Sequence, residues 1–228
     1  NWDWGIVIRS ASEYVLTGTL QDKIYFTRYP NNQFWYLILV TVFKFVHWLN
    51  PEAQFHQFYI TSIILGCLMV TGAIILLYLT AKELWGEKMA AIVGGMAYLC
   101  IPLYMWASYA YTDTAGMFIL MLMLFLYIKA EKSDQSWHYF LYLGLLGLAG
   151  AVSWAIKVTS FIFVLAVFLT LLFKKNALKK ILFGILCITL FFSLGKISID
   201  TAVDQVISID EDFYDQYEFT LTHWHMMS

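Results

Sequence analysis

Two carboxylates and one ammonium interrupt surroundings that are otherwise apolar or aromatic. Asp3 sits in Trp2-Asp3-Trp4, Asp113 in Tyr111-Thr112-Asp113-Thr114, and Lys157 in Trp154-Ala155-Ile156-Lys157-Val158. A charge next to a membrane-length apolar run is costly and needs a reason. A carboxylate there can accept a proton from an acceptor hydroxyl. A lysine can neutralise a phosphate leaving group as a point charge. If the three converge, they suit transfer of a sugar from a membrane-embedded polyprenyl phosphate. Each also has a plainer reading. Asp113 precedes a helix and could serve as its N-cap, a contribution of about 1 kcal/mol. Lys157 could snorkel to the interface, and Asp3 could be a solvated loop residue. Arg28, Tyr29 and Tyr25 form a basic and aromatic cluster, which is either an interface anchor or, with Tyr111, part of a substrate-binding surface.

Other chemistries lack their motifs. The chain has no Gly-x-Gly-x-x-Gly loop, no Walker sequence and no His-Glu-x-x-His. His223-Trp224-His225 supplies two alternating imidazoles without a third ligand, short of a metal set. Cys67, Cys100 and Cys187 all lie in apolar runs and read as small core residues. No cofactor is indicated by these motifs, and a need for a divalent metal is left open.

The elements that must position these groups are membrane helices. The 228 residues are 61% hydrophobic and 13% charged, with mean hydropathy +0.67. A soluble domain carries about 25% charged residues, so this chain lacks the polar surface to live in water. A net charge of -2 gives no case for nucleic-acid binding. Only a helix satisfies its own backbone in lipid, and it needs about 20 mostly apolar residues to cross. Six candidates follow: residues 58–80, 88–106, 114–128, 139–154, 158–173 and 181–199. The expected fold is therefore an all-α polytopic bundle.

Orientation follows from the basic residues. Lys82 and Lys88, Lys129 and Lys132, and Lys174, Lys175, Lys179 and Lys180 mark three connections and include eight of the fourteen basic residues. Basic connections stay in the cytoplasm. Asp113, Lys157 and the acid-rich tail (Asp200, Asp204, Asp210, Glu211, Asp212, Asp215 and Glu218) then lie outside. The run 34–49 is short and carries Lys44 and His47, so it is expected in the outer interface and not across the membrane. Before it, Ile6, Val7, Ala11, Tyr14 and Val15 recur at helical spacing up to Gly18, and Tyr29-Pro30-Asn31-Asn32 reads as a turn. The expected division is an extracytoplasmic segment at 1–57, a bundle at 58–199 and an acidic extracytoplasmic segment at 200–228. The start at Asn1 and the polar close at Ser228 suggest a fragment of a longer polytopic protein.

The order of these pieces resembles the GT-C glycosyltransferases, especially the protein O-mannosyltransferase and aminoarabinose-transferase type. The matching pieces are Asp3, the amphipathic stretch to Gly18, Tyr29-Pro30-Asn31-Asn32, Lys82-Glu83-Leu84-Trp85-Gly86, Pro102 and Ala110-Tyr111-Thr112-Asp113. The resemblance implies juxtamembrane helices outside the membrane and a polyprenyl-phosphate sugar as donor. It implies Asp3 as catalytic base, Asp113 as second acid and Lys157 as the donor-phosphate contact. Two departures stand out: Trp4 follows Asp3 where mannosyltransferases of this type place a Glu, and Tyr29-Pro30-Asn31-Asn32 replaces a His-Pro-Pro element. The same Tyr-Pro-Asn-Asn element and the closing His223-Trp224-His225-Met226-Met227 are similar to Gram-positive bacterial members. The implied partners are the bilayer and the lipid-linked donor, with the acceptor open among cell-envelope glycan, lipid and protein.

Two other classes compete. A transporter or lipid flippase would line its midspan with charges, whereas these charges collect at one end, Lys196 being the exception within the last span. A non-catalytic scaffold would need neither Asp.

Overall fold

A computed structural model describes residues 3–173 and 178–207. Lys174, Lys175, the acids from Asp210 to Glu218 and the His223/His225 pair fall outside the described residues. The described chain is helical, with ten α-helices and two short 3-10 turns and no strand among the described residues. α1 (Asp3–Thr17), α2 (Lys23–Arg28), a 3-10 turn at Pro30–Asn32 and α3 (Gln33–Leu49) come first. α4 (Phe55–Trp85), α5 (Glu87–Tyr98), α6 (Ile101–Ala107), α7 (Thr112–Glu131) and α8 (Ser136–Ile156) follow. A 3-10 turn at Val158–Phe161 then leads into α9 (Ile162–Phe173) and α10 (Leu178–Asp204).

Four of these, α4, α7, α8 and α10, are long and apolar enough to cross a membrane. The six equal spans expected from hydropathy need two amendments. The run 88–106 is a broken span: α5 and α6 meet at a bend of 60°. Cys100 leaves the helical region (φ -76°, ψ 87°), and Pro102 lies in the first turn of α6, where its missing N–H costs nothing. The run Val158–Phe173 has the right composition but spans only 16 residues, about 24 Å of helix at 1.5 Å per residue. That falls short of the roughly 30 Å hydrocarbon layer.

α8 is the axis of the bundle, and its two neighbours, α7 and α10, pack along it. Small residues allow this closeness, as they do generally between membrane helices. A methyl built on Gly147 of α8 would stand 2.5 Å from the Ile188 carbonyl oxygen of α10. The tightest seat is Gly66 of α4, where a methyl would stand 2.2 Å from the Ala107 carbonyl oxygen at the end of α6. That seat decides where the segment leading into α7 can lie.

The bundle has two chemically different ends. At one, Lys129 of α7 reaches Glu83 of α4 at 3.0 Å and Lys82 reaches Glu87 at 3.1 Å. At the other, α1, α2 and α3 bury Val7, Ile8, Ala11, Phe26, Trp35, Tyr36, Leu39 and Phe43 in a core continuous with that of the bundle. The amphipathic reading of α1 holds in part: Val7 and Ala11 are buried and Ile6, Tyr14 and Val15 half-buried, but Ser10, read on the polar side, is buried too, and Gly18 closes the helix with φ 76°. Arg9 is tied to Asp22 at 3.3 Å, which folds the α1–α2 connection back on the helix. α3 packs against α1 and also touches α4, α8 and α10; Trp35 Nε1 donates to the Ala110 carbonyl at 3.1 Å just before α7, and Phe43 stacks on Phe58 at the start of α4.

Gly66→Ala should therefore lower the thermal midpoint of the purified protein by an amount reflecting about 1–3 kcal/mol of overpacking. Gly95→Ala, where a methyl meets nothing within 4 Å, should leave the midpoint unchanged or raise it. Equal midpoints for the two variants would contradict the α4–α6 contact.

Candidate active site

Asp113 is the second residue of α7, not its cap. The N-cap is Tyr111, in extended conformation (φ -136°, ψ 177°) and without a side-chain capping bond. The capping reading of Asp113 is thus corrected: its carboxylate turns instead to Lys157, with Nζ and Oδ1 2.8 Å apart. Lys157 sits between α8 and the 3-10 turn, where the backbone opens to φ -149°, ψ 93°. This break turns the lysine stem along α7, and Gly116 makes room for it: a methyl there would stand 3.2 Å from both Lys157 Cβ and Ser160 Oγ. Lys157 therefore does not simply snorkel to bulk water. Both partners stay reachable, with 37% of the Lys157 and 44% of the Asp113 side chain exposed.

Asp3 joins the same place from the other end of the chain. It opens α1, where the exposed helix N–H groups favour a negative charge. A cleft of roughly 670 Å³ is lined by Asp3, Trp4, Trp106, Tyr109, Tyr111 and Asp113. Trp4 packs edge-on against Tyr109 (5.4 Å between ring centres) and Tyr59 (5.8 Å). Its indole Nε1 is buried with no hydrogen-bond partner among the described residues. The residue that departs from the expected acidic pair is thus a donor in the wall of the cleft. Thr114 fixes the loop that carries these aromatics, donating to the carbonyls of Tyr109 at 2.8 Å and Trp106 at 3.2 Å.

Behind the carboxylates runs a chain of hydroxyls. Asn32, 1% exposed, donates through Nδ2 to the Tyr25 hydroxyl at 2.7 Å. Tyr25 in turn hydrogen-bonds Tyr111. Burial, then the neighbouring Tyr111 and Asp3, pushes the Tyr25 phenol well above its ordinary range. Burial chiefly pushes Tyr111 up to about 12, with Asp3 and Asp113 adding to the rise and hydrogen bonds from Asn32 and Tyr25 opposing it. Both phenols stay protonated at neutral pH. Tyr25 and Asn32 are thus interior parts of the site, whereas the side-chain pattern read Tyr25 as a surface anchor. Tyr29 packs on Tyr25 at 5.1 Å, and Arg28, exposed, covers the Tyr29 ring at 5.5 Å. These two stand one layer behind the hydroxyl chain and do not line the cleft with Asp3 and Asp113. Among the described residues, no group of three metal-ligating side chains is gathered.

Membrane-crossing helices that carry a cleft of carboxylates, an ammonium and aromatic hydroxyls at one polar end make a multi-pass membrane protein equipped for group transfer. Residues 33–196, more than half of the chain, match the family model of dolichyl-phosphate-mannose-protein mannosyltransferase, and the chain belongs to that family. It is a membrane glycosyltransferase of the mannosyltransferase type. No curated protein and no solved structure matches it.

Asn32→Ala should destabilise the protein by about 1–3 kcal/mol, because it removes the donor to the half-buried Tyr25 hydroxyl. Denaturant titration at neutral pH checks this. The phenol pair also gives a pH signature. The unfolded chain's tyrosines ionise near 10.0 while Tyr111 holds its proton to about 12. Stability should therefore fall as pH rises from 10 toward 12, and the slope over that window should be shallower in Tyr111→Phe.

Proposed function

We propose that this chain transfers a sugar from a polyprenyl-phosphate donor to an acceptor hydroxyl on the extracytoplasmic face of the plasma membrane in a bacterium, with inversion at the anomeric carbon. The observation that carries the reading is the convergence of Asp3, Asp113 and Lys157: two carboxylates in one cleft, one of them 2.8 Å from the ammonium. Family membership supports the transferase class. The segregation of Lys82, Lys88, Lys129 and Lys132 to the opposite end supports the orientation.

In this mechanism Asp3 takes the proton of the acceptor hydroxyl. The acceptor oxygen bonds to the anomeric carbon from the face opposite the phosphate. The bond from that carbon to the phosphate oxygen breaks, and its electron pair leaves on the polyprenyl phosphate. Lys157 neutralises the growing charge, and the Tyr111 O–H adds a hydrogen bond to the departing oxygens. Before the donor arrives, Lys157 is held by Asp113. The donor phosphate competes for that ammonium, so binding the donor releases the Asp113 carboxylate into the cleft. Donor therefore binds first, and the second carboxylate becomes available only when there is something to transfer.

Asp3→Asn keeps the volume and loses the basicity, so transfer from labelled polyprenyl-phosphate sugars should fall by about 100-fold or more with donor affinity little changed. Lys157→Ala should weaken donor binding and slow transfer. Asp113→Asn should slow transfer but tighten binding of polyprenyl phosphate, because it removes the competitor for Lys157. Transfer that survives both Asp3→Asn and Asp113→Asn would eliminate the carboxylate mechanism. For the orientation, Glu52→Cys should react with a membrane-impermeant thiol reagent on intact cells and Asp134→Cys should not. The reverse pattern would place the cleft in the cytoplasm.

A further inference from the structure

A second cleft, of roughly 430 Å³, opens at the same end of the bundle on the other side of the α8–α9 joint. Lys157 Nζ points to Asp113, while the flanking Ala155 and Val158 line this second space. The turn before α3 divides in the same way: Asn32 holds Tyr25 on the catalytic side, and Asn31 lines the second cleft. The two clefts therefore share one thin wall.

The polar lining of the second cleft is dominated by hydrogen-bond acceptors. Asn31 Oδ1 is buried and has no partner among the described residues. Gln33 donates its amide nitrogen to the Phe26 carbonyl at 2.9 Å, which leaves Oε1 as the unused atom. Asp200 and Asp204 come from the last turns of α10, four residues apart on one face. A carboxylate accepts only. Lys196, the single cation of the lining, is paired with Asp200. Trp154 completes the wall with an aromatic ring. With Asp200 and Asp204 set against Lys196, the lining carries one more negative charge than positive. It suits a ligand rich in O–H donors with apolar ring faces to lay on an indole.

We propose that this cleft binds a stretch of uncharged, hydroxyl-rich glycan, as an accessory subsite for an extended acceptor whose terminal hydroxyl reacts in the neighbouring cleft. The assignment rests on the glycosyltransfer reading for its role and on the acceptor-rich lining for its ligand. An isolated monosaccharide gains little here, because the hydroxyls that this cleft recognises belong to sugars behind the reacting one. The subsite selects chain length and leaves the chemical step to the other cleft.

The test uses the full chain in lipid nanodiscs and measures equilibrium binding of α-linked mannohexaose and of mannose by calorimetry. Mannohexaose should bind more tightly than mannose, with an affinity insensitive to salt. Asn31→Ala and Asp204→Asn should each weaken hexaose binding by about tenfold, the scale of one lost hydrogen bond. Absence of hexaose binding, or binding by Asn31→Ala and Asp204→Asn as tight as that of the wild type, overturns the proposal. So does displacement of the hexaose by spermidine, which would mark a cation site. The transfer assay from polyprenyl-phosphate mannose runs as a separate arm. Wild-type transfer without hexaose binding overturns the subsite alone, whereas hexaose binding without transfer overturns the glycosyltransfer reading and with it the acceptor role of the cleft.

Discussion

The Lys157 ammonium and the Asp113 carboxylate meet at 2.8 Å where α7 begins and α8 ends. Their contact requires several other features at once. α8 must stop at residue 156 so that Lys157 can adopt an extended backbone, and α7 must present a glycine at 116 for the lysine stem to pass. Thr114 must close the loop that precedes Asp113. With both partners more than a third exposed, the pair itself contributes little to stability, on the order of 1 kcal/mol or less.

The bilayer explains why the polar groups are where they are. No water satisfies a charge in the hydrocarbon layer, so charges retreat to the ends of helices that are otherwise apolar. At one end they form the pairs Lys129–Glu83 and Lys82–Glu87. At the other they are enclosed by α1, α2 and α3, which pack into one core with the bundle. That packing brings Asp3 to the bundle, with Phe26, Trp35, Tyr36 and Phe43 buried together. The bent α5–α6 pair serves the same end, since its break carries Trp106 and Tyr109 over the top of α4 and into the cleft.

Trp4 gives the departure at this position a physical meaning. An acidic residue there would place a further negative charge beside Asp3 and Asp113, whereas the indole offers a neutral donor and an apolar face. Asn31 and Asn32 do comparable work in the Tyr29-Pro30-Asn31-Asn32 turn. Asn32 serves the hydroxyls behind the first cleft and Asn31 lines the second, while Asn31 Nδ2 also donates to Asn32 Oδ1 at 3.5 Å.

Much of this architecture was legible in the chain itself. Helix type, the apolar runs, the amphipathic α1 and its stop at Gly18, and the gathering of lysines on alternate connections are all read along one dimension. The bilayer makes that possible, because it converts length and hydropathy directly into spans and ends. The bend at Cys100 and the short reach of 158–173 were less visible, since an apolar composition does not report where a backbone leaves the helix. What only the tertiary structure decided is which side chains meet. Asp113 reads equally well as a cap, and Lys157 as a snorkelling lysine, until α7 and α8 pack closely enough to pair them. Tyr25 reads as an interface anchor until Asn32 and Tyr111 close around it. Such convergence depends on glycine-sized approaches between helices distant in the chain and on the single turn of each helix that faces inward, quantities set by packing and not by local sequence.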